Sequence, residues 1–305
     1  MRGASLLAGA IFVGLFVPPL AAVTRGAITP IVFLLMVLVL LRVDLSQVIA
    51  YLRRPVLVAA LLFWLLILSP IVVWALVWLA GLEGPFAAAL VIVATGCAAT
   101  SSPAFARLVG LDGELAFVVA ILSTLILPFT APPLALGLLG IDLAISIQGL
   151  MLRLLLLVGL PLVISMVLRR IIPPALLDRW GRAVDGAVVL LVVLYGFGVM
   201  DGVLARLLAA PGLILGGIAM AFGGTLAMNA MTAGVFAGFG QRVSLSSGLM
   251  AGNRNMALYI AVMPAATDPG IVLFFVLCQF PLFLSPFLLK PLYERIRAGS
   301  WGRAA

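Results

Sequence analysis

The chain contains no histidine and only one lysine, Lys290, among its 305 residues. Charged residues make up 9% of it, and every Asp and Glu falls at the expected end of an apolar run or in a loop. The interiors of those runs therefore hold no general acid or base and nothing to activate a nucleophile. Intramembrane hydrolysis by an Asp pair, a Ser/His pair or a Ser/Lys pair has no residues to use, and the chain is not expected to be an enzyme. The two cysteines, Cys97 and Cys278, both lie inside apolar runs and carry no information about redox compartment.

What is present in excess is hydrocarbon. The chain is 65% hydrophobic with a mean hydropathy of +1.34, more apolar surface than a soluble domain of this length can hide, so the bilayer is its solvent. Apolar runs measured against a bilayer of about 20 helical residues predict an all-α membrane protein of ten spans. They lie near 6–22, 27–41, 56–80, 85–109, 115–138, 150–168, 186–200, 210–239, 243–264 and 270–290. The eighth is long enough to require tilt. Met1-Arg2 and the run to Ala21-Ala22 also resemble a signal peptide, but the repeat described below needs this segment as a span.

An even number of spans places both termini on one side. That side collects Arg2, Arg42, Arg53, Arg54, Arg107, Arg169, Arg170, Arg179, Arg182, Arg242, Lys290, Arg295, Arg297 and Arg303, against Arg25, Arg206 and a snorkelling Arg153 on the other. By the positive-inside rule both termini are cytoplasmic, in a bacterial inner (plasma) membrane. The net charge of +8 is thus explained by topology, and no nucleic-acid partner is expected. Ser46 to Leu52 and Leu176 to Val184 are expected to be amphipathic interfacial connectors.

The two halves superpose on a shift of about 157 positions, which brings Asp44 onto Asp201, Pro55 onto Pro211, Gly81 onto Gly238 and Asp112 onto Asp268. Five spans per copy is odd, so the copies insert in opposite directions, as in many secondary transporters. The expected organisation is a first repeat over 1–138, a second over 150–290 and a short tail over 291–305. Under the same shift Ala94-Thr95-Gly96-Cys97-Ala98-Ala99-Thr100 of the fourth span falls on Ala251-Gly252-Asn253-Arg254-Asn255-Met256-Ala257 of the ninth. Both stretches interrupt apolar helices with glycine and small polar residues, which predicts broken helices crossing at a midplane site.

Arg254 stands alone in an uncharged run from Val243 to Thr267. An arginine near mid-bilayer costs roughly 2.5–3.5 kcal/mol even on the lenient insertion scale, a cost usually offset by a partner or a water-filled cavity. The candidate substrate-binding residues are therefore Arg254 with Asn253 and Asn255, together with Thr100, Ser101 and Ser102 of the facing crossover, and Ser123 and Thr124 behind them. The alternative is that the small residues only allow close helix packing.

These motifs in order resemble the bile acid/sodium symporter family over nearly the whole chain from about residue 25. Arg42-Val43-Asp44-Leu45 before Arg53-Arg54-Pro55, then Pro70, resembles the junction into its third span. Thr100-Ser101-Ser102 resembles its small-residue crossover, and Asp112 leading to Ser123-Thr124-Leu125-Ile126-Leu127-Pro128 is similar to its "STLLAP" signature. Arg254-Asn255-Met256-Ala257-Leu258 takes the place of its "QNSGLA". The resemblance implies a core of spans three to five and eight to ten, a panel of spans one, two, six and seven, and inward transport of organic anions (bile acids, sulfate esters, small carboxylates) with sodium by alternating access.

The departures from the family pattern fall on its sodium ligands. The ninth-span glutamate matches Met250, the glutamine after it Arg254, and the third-span glutamine Leu65; at the second site the threonine and serine are kept as Thr100 and Ser102, but an asparagine matches Pro103, and two hydroxyl residues match Ala116 and Ala120. A hard cation needs several oxygen ligands, so neither bound sodium nor any other cofactor is expected. The expectation is a transporter of a small-molecule organic anion in the lipid bilayer, with Arg254 as a fixed cation. The alternatives are a sodium-coupled symporter, an arsenite-type exporter using Cys97, and a non-transporting membrane receptor.

Overall fold

A computed structural model describes residues 2–43, 54–138, 140 and 143–301. Among these residues every regular element is a helix, and the one β contact is an isolated antiparallel bridge between Ala98 and Arg254. Proline sets many of the helix starts. Pro18, Pro55, Pro85, Pro174, Pro211 and Pro269 each sit in a first turn, where the missing N–H leaves no intrahelical bond unmade. The side chains of Asp112, Ser146 and Asp268 cap three helices by accepting from backbone N–H groups one turn on.

Among the described residues five helices are long and apolar enough to cross a membrane: Pro55–Leu79, Gly113–Gly137, Ile147–Ile171, Arg179–Ala209 and Pro211–Val235. At about 1.5 Å per residue, a helix of 25 residues exceeds the roughly 30 Å hydrocarbon layer. The number becomes seven if two bent pairs each count as one span: Pro18–Arg25 with Ile28–Leu41, bent by 72°, and Pro269–Ser285 with Phe287–Ile296, bent by 46°. The protein is an integral, multi-pass membrane protein. The expected fourth and ninth spans are each divided, into Pro85–Thr95 and Ser102–Leu108, and into Gln241–Gly252 and Met256–Val262. None of the four pieces crosses a bilayer alone.

The expected boundaries shift in three places. The first helix stops at Phe16, because Pro18 starts a new one. The long run ending near 239 is helical to Val235 and closes in a short turn, Ala237–Phe239. The stretch from Leu176 to Val184 is not a separate connector but the first half of one helix, Pro174–Val199. No proline interrupts that stretch after its start, and Arg42 pins it through Asp185 at 3.1 Å. Asp44, the Ser46–Leu52 connector, Arg53 and Arg303 lie outside the described residues.

Packing falls into two groups. In one, Arg2–Phe16, Pro18–Arg25 and Ile28–Leu41 all rest on Pro174–Val199, and Ile28–Leu41 also on Ile147–Ile171. A Cβ on Gly14 would stand 2.7 Å from Phe197 Cα, so only glycine admits this approach. Arg169 donates to the carbonyls of Leu40, Leu41 and Val43 and closes the end of the Ile28–Leu41 helix. In the other group, Pro211–Val235 pairs with Gln241–Gly252, Pro85–Thr95 packs on Ser69–Leu79 and Pro269–Leu277, and Ser102–Leu108 packs on Gly113–Pro132. Gly113–Pro132 touches Ile147–Ile171 and joins the two groups.

Candidate functional site

The two interruptions meet. The first runs from Gly96, in extended conformation after the Pro85–Thr95 helix, to Ser101; the second is Asn253-Arg254-Asn255. Breaking a helix frees backbone groups that a membrane interior cannot solvate, and here each break satisfies the other. Asn255 N–H donates to Cys97 O at 2.9 Å and Ala99 N–H to Asn253 O at 2.8 Å. Ser123 Oγ accepts from Ala98 N–H and donates to Ala120 O, both at 3.2 Å. Gly252 lets the second break approach its neighbour, since a Cβ there would lie 2.8 Å from Thr225 O.

Arg254 is buried at 2% exposure, and its guanidinium is held by four hydrogen bonds. Nε donates to Ala251 O at 2.8 Å, Nη1 to Gly96 O at 2.7 Å and to Leu65 O at 2.9 Å, and Nη2 to Ser69 Oγ at 2.8 Å. The carbonyls of Gly96 and Ala251 are open because their helices end there. Leu65 O is open for a different reason. Residues Trp64–Leu68 form a π turn in which Ser69 N–H bonds back to Trp64 O, five residues earlier. The next donor in that pattern would bond Leu65 O, but it is Pro70, which has no N–H. Ser69 Oγ (3.2 Å) and the guanidinium fill the vacancy. All four acceptors are neutral, and among the described residues no carboxylate accompanies the charge.

A cavity of about 240 Å³ lies between the two helix groups, beside the crossing. Its walls are Val32, Leu35, Met36 and Val39 on one side, Val188, Val189, Val192 and Tyr195 on another, and Ala104, Phe105, Leu282 and Phe283 opposite. Of the expected site residues, Thr100, Ser101 and Asn255 line it. The others do not. Arg254 and Asn255 are neighbours in an extended segment, where successive side chains take opposite faces, and only Asn255 turns to the cavity. Thr124 Oγ1 donates to Ala120 O at 2.7 Å and lies 3.3 Å from Cys97 Sγ, within hydrogen-bond distance of the thiol, so its hydroxyl and the fully buried thiol are engaged inside the protein. Ser102 Oγ and both amide atoms of Asn253 are buried without a hydrogen-bond partner; each such atom costs about 1–3 kcal/mol.

Residues that sequence reasoning missed complete the picture. Ser69 and the carbonyl of Leu65 hold the arginine, and the pair Ser69-Pro70 in the middle of an apolar span was a readable signal of freed carbonyls. Tyr195 and Gln279 line the cavity, each a lone polar side chain within an apolar stretch. Leu65, Ala116, Ala120 and Met250 are buried and offer no side-chain oxygen, and Pro103 lies buried in the first turn of Ser102–Leu108.

Among known families, the Sodium Bile acid symporter family matches residues 29–202, more than half of the chain. No curated protein matches the sequence. The aligned stretch includes the first break and Tyr195 and ends before the second break and its arginine.

Proposed function

Because the chain belongs to the sodium bile acid symporter family, a family of membrane transporters, we propose that it carries a small organic anion by alternating access without sodium. One observation carries the reading: the buried guanidinium of Arg254 is held by three carbonyls and a hydroxyl, with no acidic partner among the described residues. The protein thus keeps a net positive charge behind the wall of the cavity, one residue from Asn255. At a separation on the order of 8 Å and an effective dielectric of about 20, such a charge attracts an anion by about 2 kcal/mol. The arginine acts through its field, and Asn255, Thr100 and Ser101 supply the hydrogen bonds.

The residues do not suit sodium. A sodium site needs converging oxygens, preferably with a carboxylate. At the positions that the family resemblance matches to its sodium ligands stand Met250, Arg254, Leu65, Ala116, Ala120 and Pro103, with only the hydroxyls of Thr100 and Ser102 kept, and the carbonyls of Ala251, Gly96 and Leu65 are already engaged by Arg254. The cation that an oxygen cage calls for is here part of the chain.

The cavity favours a small solute. Its 240 Å³ falls below the roughly 300–1,000 Å³ of sites that bury drug-sized ligands, which favours a short carboxylate over a bile-acid-sized molecule. Ten crossings in two inverted repeats, 1–138 and 150–290, with a short cytoplasmic tail and both termini cytoplasmic in a bacterial inner membrane, complete the proposal. The reciprocal bonds between Cys97–Ala99 and Asn253–Asn255 support it, since such reciprocity is what an inverted pair of breaks produces. The core (spans three to five and eight to ten) moves against the panel (spans one, two, six and seven).

The test is transport of labelled short carboxylates into liposomes containing the purified protein, with sodium replaced by potassium or choline at constant ionic strength. Rates should not change. A steep sodium dependence saturating at millimolar concentration would overturn the sodium-free mechanism.

A further inference from the structure

Among the described residues two polar atoms beside the cavity have no partner. Tyr195 Oη and Gln279 Oε1 are buried and unbonded, in side chains only 3% and 1% exposed, and both residues line the cavity. Gln279 Nε2 donates to Phe275 O at 3.2 Å, and since a carbonyl can only accept, the orientation of the amide is fixed and its oxygen is the atom left over. Natural proteins rarely leave such atoms orphaned unless a ligand or a water completes them.

What completes them is constrained by chemistry. Gln279 Oε1 only accepts, so the ligand must bring a donor. A carboxylate has none, and among the described residues no charged side chain lines the cavity to favour a cationic donor. A neutral hydroxyl can satisfy either atom, because it can donate to an amide oxygen and accept from a phenol. We propose that Tyr195 and Gln279 select substrates with an alcohol group on the apolar part of the molecule, so that the preferred ligand is a small hydroxylated carboxylate. This rests on the organic-anion reading above and adds the second recognition point.

The test compares transport of hexanoate and its monohydroxy derivatives by the reconstituted wild-type protein, Tyr195→Phe and Gln279→Met. In the wild type at least one hydroxy derivative should be preferred over hexanoate by about tenfold or more, since a site built around a hydroxyl discriminates against its absence. In each variant the ratio should fall to about one. A wild type that moves hexanoate with no preference, or a preference that survives both substitutions, overturns the assignment. If the wild type moves none of the probes, the short-carboxylate reading fails, and the ligand-free melting temperature decides this one separately. Removing an orphan hydroxyl should raise it by about 2–4 °C in Tyr195→Phe. A fall would show that the phenol has a partner inside the protein and would refute the pairing.

Discussion

A single arginine illustrates how a charge survives in a membrane interior. Taken alone its cost is several kcal/mol, and a bare sequence suggests that a ligand offsets it. The structure offsets it with oxygens of the protein itself, which changes what substitutions should do. Arg254→Ala leaves the carbonyls of Gly96, Leu65 and Ala251 without a shared donor, at about 1–3 kcal/mol for each one left unsatisfied. It should therefore lower the melting temperature as well as abolish anion transport, and cannot separate the two effects. Ser69→Ala can, because it removes a neutral contact of Nη2 and keeps the charge. We expect it to cost about 1 kcal/mol of stability with anion affinity within about twofold of wild type. A loss of affinity as deep as that of Arg254→Ala would mean that the exact pose of the guanidinium, rather than its field, serves the substrate.

At the scale of elements, the breaks were legible and their facing was not. Glycine and small polar residues in otherwise apolar spans announced both interruptions, and a proline stands in the first turn of many of the helices. Which side chain faces the cavity depends on the 3.6-residue period, and that period is lost where a helix stops. Arg254 and Asn255 could not be told apart for this reason, nor could Ser101 and Ser102, one of which lines the cavity while the other is sealed behind it. The same limit hid Tyr195 and Gln279, since an isolated polar residue in a long helix has no marked face. The charged residues of Leu176–Val184 suggested a connector, but a helix that emerges from the bilayer needs a polar end too. The π turn yields a test that runs against habit. Removing a proline from a helix ordinarily stabilises it, by up to about 3 kcal/mol. Pro70→Ala adds an N–H that competes for Leu65 O, the acceptor of Arg254 Nη1, and should give no rise in melting temperature or a fall. A clear rise would show that the proline is incidental to the arginine's seat.

For the whole molecule, apolar content and the lopsided distribution of arginine are enough to settle the membrane class, while the number of crossings depends on how short and bent helices are counted. The absence of intramembrane acids and of histidine has a consequence at this scale that no local contact reveals. A sodium symporter can drive an anion inward against an inside-negative potential because the cation crosses with it. In the proposed sodium-free mechanism Arg254 belongs to the protein and returns with it, so a complete cycle moves only the charge of the substrate. For a monovalent anion the membrane potential contributes about 2.3 kcal/mol per 100 mV, an outward accumulation of about 40-fold at about 1.4 kcal/mol per tenfold. Net flux in a polarised cell should then be export, although the family resemblance implies import. Liposomes loaded with a labelled short carboxylate and given an inside-negative potassium diffusion potential should lose it several-fold faster than depolarised ones, and reversing the potential should slow the loss. Equal rates in all three conditions would indicate electroneutral exchange, in which a second anion returns for each one released.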